Sequence, residues 1–266
     1  MIKQWFITGD THGAHETCQR LRIFKIKNPD LIPEETGIIF LGDVGINWCG
    51  ESLSGSYDDK DKEAVNKFGY QLYLVRGNHE FRPSTLSGIK YAYDENVCGH
   101  IYYEEKHPNI HYFKDGGDIY LINDSPVYVI PGAYSVDKNF RLATGKRWFR
   151  DEQLTEEEKE KLLDLIITLN EFDEEPAIVL SHTCPLCWEE YISYLFMDEL
   201  DQKSIDKITE KFLNEVYTRV WYKHWYFGHF HDDKDFRDIK ATILFKEIIP
   251  LGEYIITEEE KCILDL

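Results

Sequence analysis

Five short runs of apolar or β-branched residues in this chain stop at a glycine or serine and give way at once to carboxylate, imidazole or amide side chains. Ile2 to Ile7 precedes Gly9-Asp10-Thr11-His12-Gly13, Ile38 to Leu41 precedes Gly42-Asp43-Val44-Gly45, and Gln71 to Val75 precedes Gly77-Asn78-His79-Glu80. Ala177 to Leu180 runs into Ser181-His182, and Trp225 to Phe227 into Gly228-His229-Phe230-His231. Runs this short, without polar alternation, predict buried strands. Between the second and third, Asp61 to Phe68 places Ala64, Val65 and Phe68 at helical spacing, which predicts a crossover helix and hence a parallel βαβ unit. Ligands of open α/β sheets bind beyond the carboxyl ends of the strands, so five polar segments far apart in sequence are expected to meet in space.

The remaining chain reads as supporting structure. From about Phe81 to Tyr134, Tyr, Val and Ile runs alternate with turn signals, most clearly at Phe113 to Gly117 and at Asn123-Asp124-Ser125-Pro126, which predicts antiparallel hairpins. Leu162, Leu163, Leu165, Ile166 and Leu169 mark an amphipathic helix opened by a Thr155/Glu158 capping box. A second such helix is expected over Ser204 to Val220, and two closing strands over Thr242 to Ile256. No repeat, linker or low-complexity tract interrupts the chain, so residues 1–266 are read as one domain.

Composition narrows the setting. With 30 Lys and Arg against 49 Asp and Glu, a formal charge of −19, the overall field repels polyanions, and with no dense basic cluster evident, non-specific nucleic-acid binding is not expected. The opening MIKQWFITGD lacks the features of a signal peptide and no apolar run is long enough to span a bilayer, which points to a cytoplasmic protein without a membrane partner. Six irregularly spaced cysteines in a chain this large read as reduced thiols. Cys184-x-x-Cys187 beside His182 lacks the second pair of a structural zinc site, and Pro185 lies inside the pair where a zinc deaminase has it in front.

Imidazole with carboxylate and amide oxygen suits Mn, Fe or Zn in a hydrolytic site, where two ions roughly 3.5 to 4 Å apart activate water and neutralise charge on a phosphoryl group. The ordered segments D-x-H, G-D, G-N-H-[DE], a lone His, and G-H-x-H, from Asp10 to His231, resemble the calcineurin-like metallophosphoesterases. That resemblance implies a four-layer α/β/β/α sandwich, two mixed sheets flanked by helices. It also implies a metal-dependent phosphoesterase in which a hydroxide bridging two divalent or trivalent ions attacks a phosphate ester. Position by position, Asp10, His12 and His231 would bind one ion, Asn78, His182 and His229 the other, and Asp43 would bridge. His79 matches the histidine that serves the family as general acid without binding metal.

Arg76-Gly77-Asn78-His79-Glu80 is similar to the serine/threonine protein phosphatase branch. That branch has G-D-x-x-D-R-G in its second segment, however, whereas Ile46 stands here in place of the second Asp and no Arg follows. His79 is therefore expected to find another partner. Pro131 to Lys138, with Arg141 and Trp148, is similar to a group of bacterial and phage-associated metallophosphoesterases. Arg82, Arg141 and Arg147 are candidate phosphate clamps, since a guanidinium meets phosphate oxygens bidentately, although ordinary ion pairing explains each at least as well. His15, His100, His107, His111 and His224 match no motif and are expected on the surface or hydrogen-bonded in the core. Small phosphoesters, nucleotides or phosphoproteins all remain open as substrates. A phosphodiesterase or nucleotide hydrolase shares the same core, and a non-catalytic scaffold would not need eight converging polar residues. Specificity would lie in loops such as Trp48 to Lys60 and Pro185 to Gln202.

Overall fold

The computed structural model describes residues 1–50, 56–172, 175–195 and 205–255. Among the described residues two mixed sheets face one another. The first has seven strands: β1 (Gln4–Thr8), β2 (Thr36–Phe40), β3 (Gln71–Leu74), β4 (Lys90–Asp94), β5 (Gly99–Tyr103), β6 (Ile110–Tyr112) and β13 (Ile249–Pro250), in the order β13-β1-β2-β3-β6-β5-β4. The second has six: β7 (Asp118–Ile122), β8 (Ser125–Ile130), β9 (Ala177–Ser181), β10 (Tyr222–Phe227), β11 (Lys234–Phe236) and β12 (Ala241–Ile243), in the order β11-β12-β10-β9-β8-β7. β1, β2, β3 and β6 run parallel, as do β8, β9, β10 and β12.

Alternation along the strands sorts the core into three layers. Ile7, Ile39, Leu41, Tyr73 and Val75 from one sheet meet Val127, Val129, Ile178, Leu180 and Tyr226 from the other, forming the centre. The opposite face of the first sheet, with Ile38, Phe40 and Leu72, packs on Leu21 and Phe24 of α1 (Ala14–Lys27) and Val65 of α2 (Tyr57–Asn66). On the far side, Tyr128, Val179, Trp225 and Phe227 pack on Leu162 and Ile166 of α4 (Glu156–Phe172) and Phe212, Leu213 and Val216 of α5 (Ile208–Tyr217). Helix, sheet, sheet and helix are thus the four expected layers. A short α3 (Lys138–Thr144) stands between β8 and α4.

Local signals hold with small shifts. The capping box closes both ways: Thr155 N donates to Glu158 Oε2 (2.8 Å) and Glu158 N to Thr155 Oγ1 (3.2 Å). Asn123 and Asp124, at φ 51° and 60°, make the two-residue turn of the β7–β8 hairpin. The crossover helix α2 begins at Tyr57, four residues before the apolar spacing shows it, because Ser56 caps it by accepting from Asp59 N and because its first turn buries Asp58 and Asp59 rather than apolar groups. The C-terminal helix starts at Ile208, and Ser204 and Ile256, at the outer ends of two expected elements, lie outside the described residues. So do residues 51–55 and 196–202 of the two loops expected to carry specificity. None of the described helices is long and apolar enough to cross a membrane.

Candidate metal centre

All five polar segments leave the carboxyl ends of parallel strands: β1, β2 and β3 in one sheet, β9 and β10 in the other. Bringing them together demands unusual backbone. His12, Asp43, His229 and His231 all have positive φ, between 49° and 67°, a region that strains any residue with a Cβ. It also demands room. A Cβ on Gly77 would lie 2.0 Å from Asp43 Oδ1, and one on Gly228 2.4 Å from Asp10 Oδ1, so only glycine lets these carboxylates approach the neighbouring chain.

One cluster comprises Asp10, His12 and His231. The two imidazole Nε2 atoms lie 2.7 Å apart, and Asp10 Oδ2 sits 3.7 Å from the first and 3.4 Å from the second. That oxygen is buried without a hydrogen-bond partner, while its twin Oδ1 accepts from His229 N at 3.1 Å. Three lone-pair atoms converging on one space fit a cation, and a buried carboxylate oxygen left unpaired is costly otherwise.

The second cluster is deeper. His182 Nδ1 donates to Leu41 O at 2.6 Å, which turns Nε2 inward toward Asn78 Oδ1 (2.8 Å) and Asp43 Oδ2 (3.6 Å). Asn78 presents its oxygen because its Nδ2 donates to Ser135 Oγ (2.9 Å), and Ser135 donates in turn to Glu152 Oε2 (2.5 Å), which also receives Trp148 Nε1 (2.8 Å). Asp43 Oδ2 lies 4.0 Å from His12 Nδ1 as well, between the two clusters. Burial would push the Asp43 carboxyl up, but His182, His79 and His12 outweigh it and hold the group well below the usual carboxylate range. Burial likewise opposes charge on His182, yet Asp43 and Asp10 raise it to about 9. A cation bound there would take that proton's place. His229 is pushed down to about 3 by burial and by His182, which keeps its ring neutral and able to ligate.

His12, Asp43, His229 and His231 border a cavity of about 700 Å³ whose other walls include His79, Trp48, Asp137 and Arg141. Ile46, in the position of the missing Asp, is fully buried in the core. His79 Nδ1 is buried without a hydrogen-bond partner, and its Nε2 faces Arg141 Nη2 at 3.5 Å. Burial chiefly lowers this histidine's pKa, against the pull of Asp43 and with a smaller contribution from Arg141. Of the three candidate clamps, Arg141 lines the cavity and is held by Asp137 through Nε at 2.7 Å, while Arg147 is exposed and donates to the carbonyl of Trp48, a cavity-lining residue. Arg82 is turned away from the cavity. Its guanidinium is bound by Glu158 (2.5 Å) and Asp151 (3.3 Å) and donates to Gln153 O, so ion pairing accounts for it. The unassigned histidines behave as expected: His107 meets Asp59, His111 meets Gln71, His224 meets Thr242, and His15 is exposed. Ser135, Glu152 and Asp137 escaped sequence reasoning as site residues, although all three sit in or near the flagged stretch from Pro131 to Trp148.

Among solved structures, the chain is similar to TT1561 of Thermus thermophilus, at 9% identity over 92% of this chain and 89% of that one, with a TM-score of 0.47. It is also similar to a cold-active protein tyrosine phosphatase, at 14% identity over 92% and 70%, with a TM-score of 0.32. A search of curated proteins gives no match. The model of the calcineurin-like phosphoesterases matches residues 6–233. Because that match takes in every strand-end segment from Asp10 to His231, the chain belongs to the calcineurin-like phosphoesterase family, whose members are metal-dependent hydrolases.

Proposed function

We propose that this protein is a phosphatase that removes phosphate from small phosphoesters or phosphoprotein. The observation that carries this reading is the convergence of seven donor residues at the strand ends of two sheets, four of them lining a cavity whose wall also holds a histidine and an arginine. Asp10, His12 and His231 would hold one ion and Asn78, His182 and His229 a second, with Asp43 touching both; Mn, Fe or Zn suits such a donor set. When bound, the ions lower the pKa of water and offset charge on the phosphoryl group.

The protein's own groups supply the rest. Arg141 has Nη2 directed into the cavity and is the group placed to meet a phosphoryl oxygen. A guanidinium only donates, so while it faces His79 Nε2 that nitrogen accepts and carries no proton. Movement of Arg141 onto phosphate would free Nε2 to take up a proton from solvent, which His79 then gives to the departing oxygen. A third terminal oxygen, which monoesters have and diesters lack, gives Arg141 its strongest partner, so monoesters should be preferred. We read residues 1–266 as one domain working in the cytoplasm, where Cys184 and Cys187, both free thiols, would stay reduced.

The test is reconstitution with Mn²⁺, Fe²⁺ or Zn²⁺, measurement of metal content, and assay against matched phosphomonoesters, diesters and nucleotides. Two ions per chain and chelator-sensitive monoester hydrolysis are expected. Absence of bound metal, or hydrolysis insensitive to chelation, would reject the reading.

A further inference from the structure

Many cations in this acidic chain are paired with a neighbouring carboxylate, among them Lys62 with Glu104, Lys106 with Asp59, Lys114 with Asp118, Lys207 with Glu189 and Arg219 with Glu215. Residues 138–150 depart from that pattern. They contain Lys138, Arg141, Lys146, Arg147 and Arg150 and no Asp or Glu, in a chain of net charge −19. Only Arg141 has a carboxylate, and among the described residues no ion pair engages the other four.

Aromatic rings hold three of these four, and Arg141, in place. Lys138 Nζ lies 4.3 Å from the Trp148 ring centre, Lys146 Nζ 4.7 Å from that of Phe140, and the guanidinium carbons of Arg147 and Arg141 lie 5.3 and 5.7 Å from Phe81 and Trp48. A ring face steadies a cation without neutralising it. The location is equally specific. Arg147 donates to Trp48 O (2.5 Å), its own carbonyl accepts from Arg141 (3.2 Å), and Lys138 follows Asp137; Trp48, Asp137 and Arg141 all line the cavity. Lys146, Arg147 and Arg150 are exposed.

We propose that segment 138–150 is a second anion subsite on the rim of the catalytic cavity, selecting small substrates that carry one or more phosphate groups beyond the one hydrolysed. It rests on the phosphoesterase reading above. The field of the rest of the protein turns anions away, so this rim is where a multiply phosphorylated molecule can approach. Guanidinium and ammonium groups are the natural partners of phosphate oxygens. Arg147 is fastened to the cavity wall through Trp48, and Lys138 follows Asp137 in that wall, which places both within the span of a compact polyphosphate.

The experiment compares the metal-loaded wild type with Arg147→Gln and with Lys138→Gln/Arg147→Gln. Calorimetry gives the affinities for tripolyphosphate and inorganic phosphate, and kinetics the KM for ATP and p-nitrophenyl phosphate. Melting temperature and metal content are measured alongside. In the double variant, tripolyphosphate affinity should fall and the ATP KM rise by about tenfold, while inorganic phosphate and p-nitrophenyl phosphate move by at most about twofold. The wild-type preference for tripolyphosphate should also shrink with added salt. Equal binding of tripolyphosphate by both proteins, or parallel losses for all four ligands, would overturn the proposal. So would variant-sensitive binding of an acidic phosphopeptide with tripolyphosphate unaffected. If the wild type hydrolyses no ester yet binds tripolyphosphate through these residues, the subsite stands and the catalytic reading falls.

Discussion

The two halves of the candidate metal centre are built differently. Around Asn78 and His182 every polar atom not aimed inward is tied down, by Ser135 and Leu41 O, and both residues are fully buried. Around His12 and His231 the imidazoles are 36% and 47% exposed, and His231 leans on Phe245 through a ring stack at 4.7 Å. Only Asp10 gives that half a buried anchor. The lesson is that orientation and accessibility are separated: one half fixes its ligands by hydrogen bonding, and the other leaves them open to solvent and substrate. The inner ion should therefore be held more tightly and exchange more slowly than the outer.

Asp43 stands between the halves, so replacing it should erase the difference. Asp43→Asn is expected to lose both ions and to lower turnover by at least about 10⁴-fold, because the whole metal contribution disappears. A variant with one ion left, by elemental analysis, would assign Asp43 to a single half. On the proposed assignment His79 belongs to neither half. His79→Ala should keep both ions and slow alkyl phosphates by about 10² to 10⁴, with a far smaller effect on nitrophenyl phosphate, whose leaving group needs little protonation. Equal losses on both esters together with lost metal would make His79 a ligand.

Ser135→Ala sharpens the comparison. Removing the hydroxyl that orients Asn78 should weaken the inner ion about 10- to 100-fold and leave the outer within about twofold, as read by competitive metal titration. Matching shifts at both ions would show that the halves are not independently organised.

The last effect concerns the support behind the inner half. Glu210 accepts from Thr183, the neighbour of His182, but its Oε2 is buried without a partner, and burial pushes its carboxyl up to about 7 from 4.5. The folded state thus favours the protonated acid. Its stabilising contribution is fully present below about pH 4.5 and is lost as pH rises through about 7. Glu210→Gln should accordingly gain on the wild type across that window, by at most about 3 kcal/mol, in chemical denaturation at about pH 5 and pH 8. A difference independent of pH would mean that Glu210 does not titrate there.

The proposed inner and outer ligands stood out equally in the sequence, because each sits where an apolar run stops, and that boundary is local. Arg82 and Arg141 were not separable in the same way. Both follow motif segments, and what distinguishes them is their partners: Gln153 and Glu158, 71 and 76 residues away, for Arg82, and Asp137, one helical turn back, for Arg141. The brace from Trp148 through Glu152 and Ser135 to Asn78 was equally hidden, since hydrogen bonds between loops leave no periodicity to read. Apolar spacing also placed the start of α2 too late, because its first turn buries acids, with Asp58 accepting from Cys49 N and Gly50 N.

The left-handed backbone at His12, Asp43, His229 and His231 has a consequence in time. Four of the proposed ligand positions already hold left-handed backbone, so no slow rearrangement of these residues should be needed before an ion enters. Capture should then run at the pace at which the ion sheds its own water. Mg²⁺, which dehydrates reluctantly, would load more slowly than Mn²⁺ at equal concentration, and stopped-flow traces with a common rate for both would show that the protein, not the ion, sets the clock.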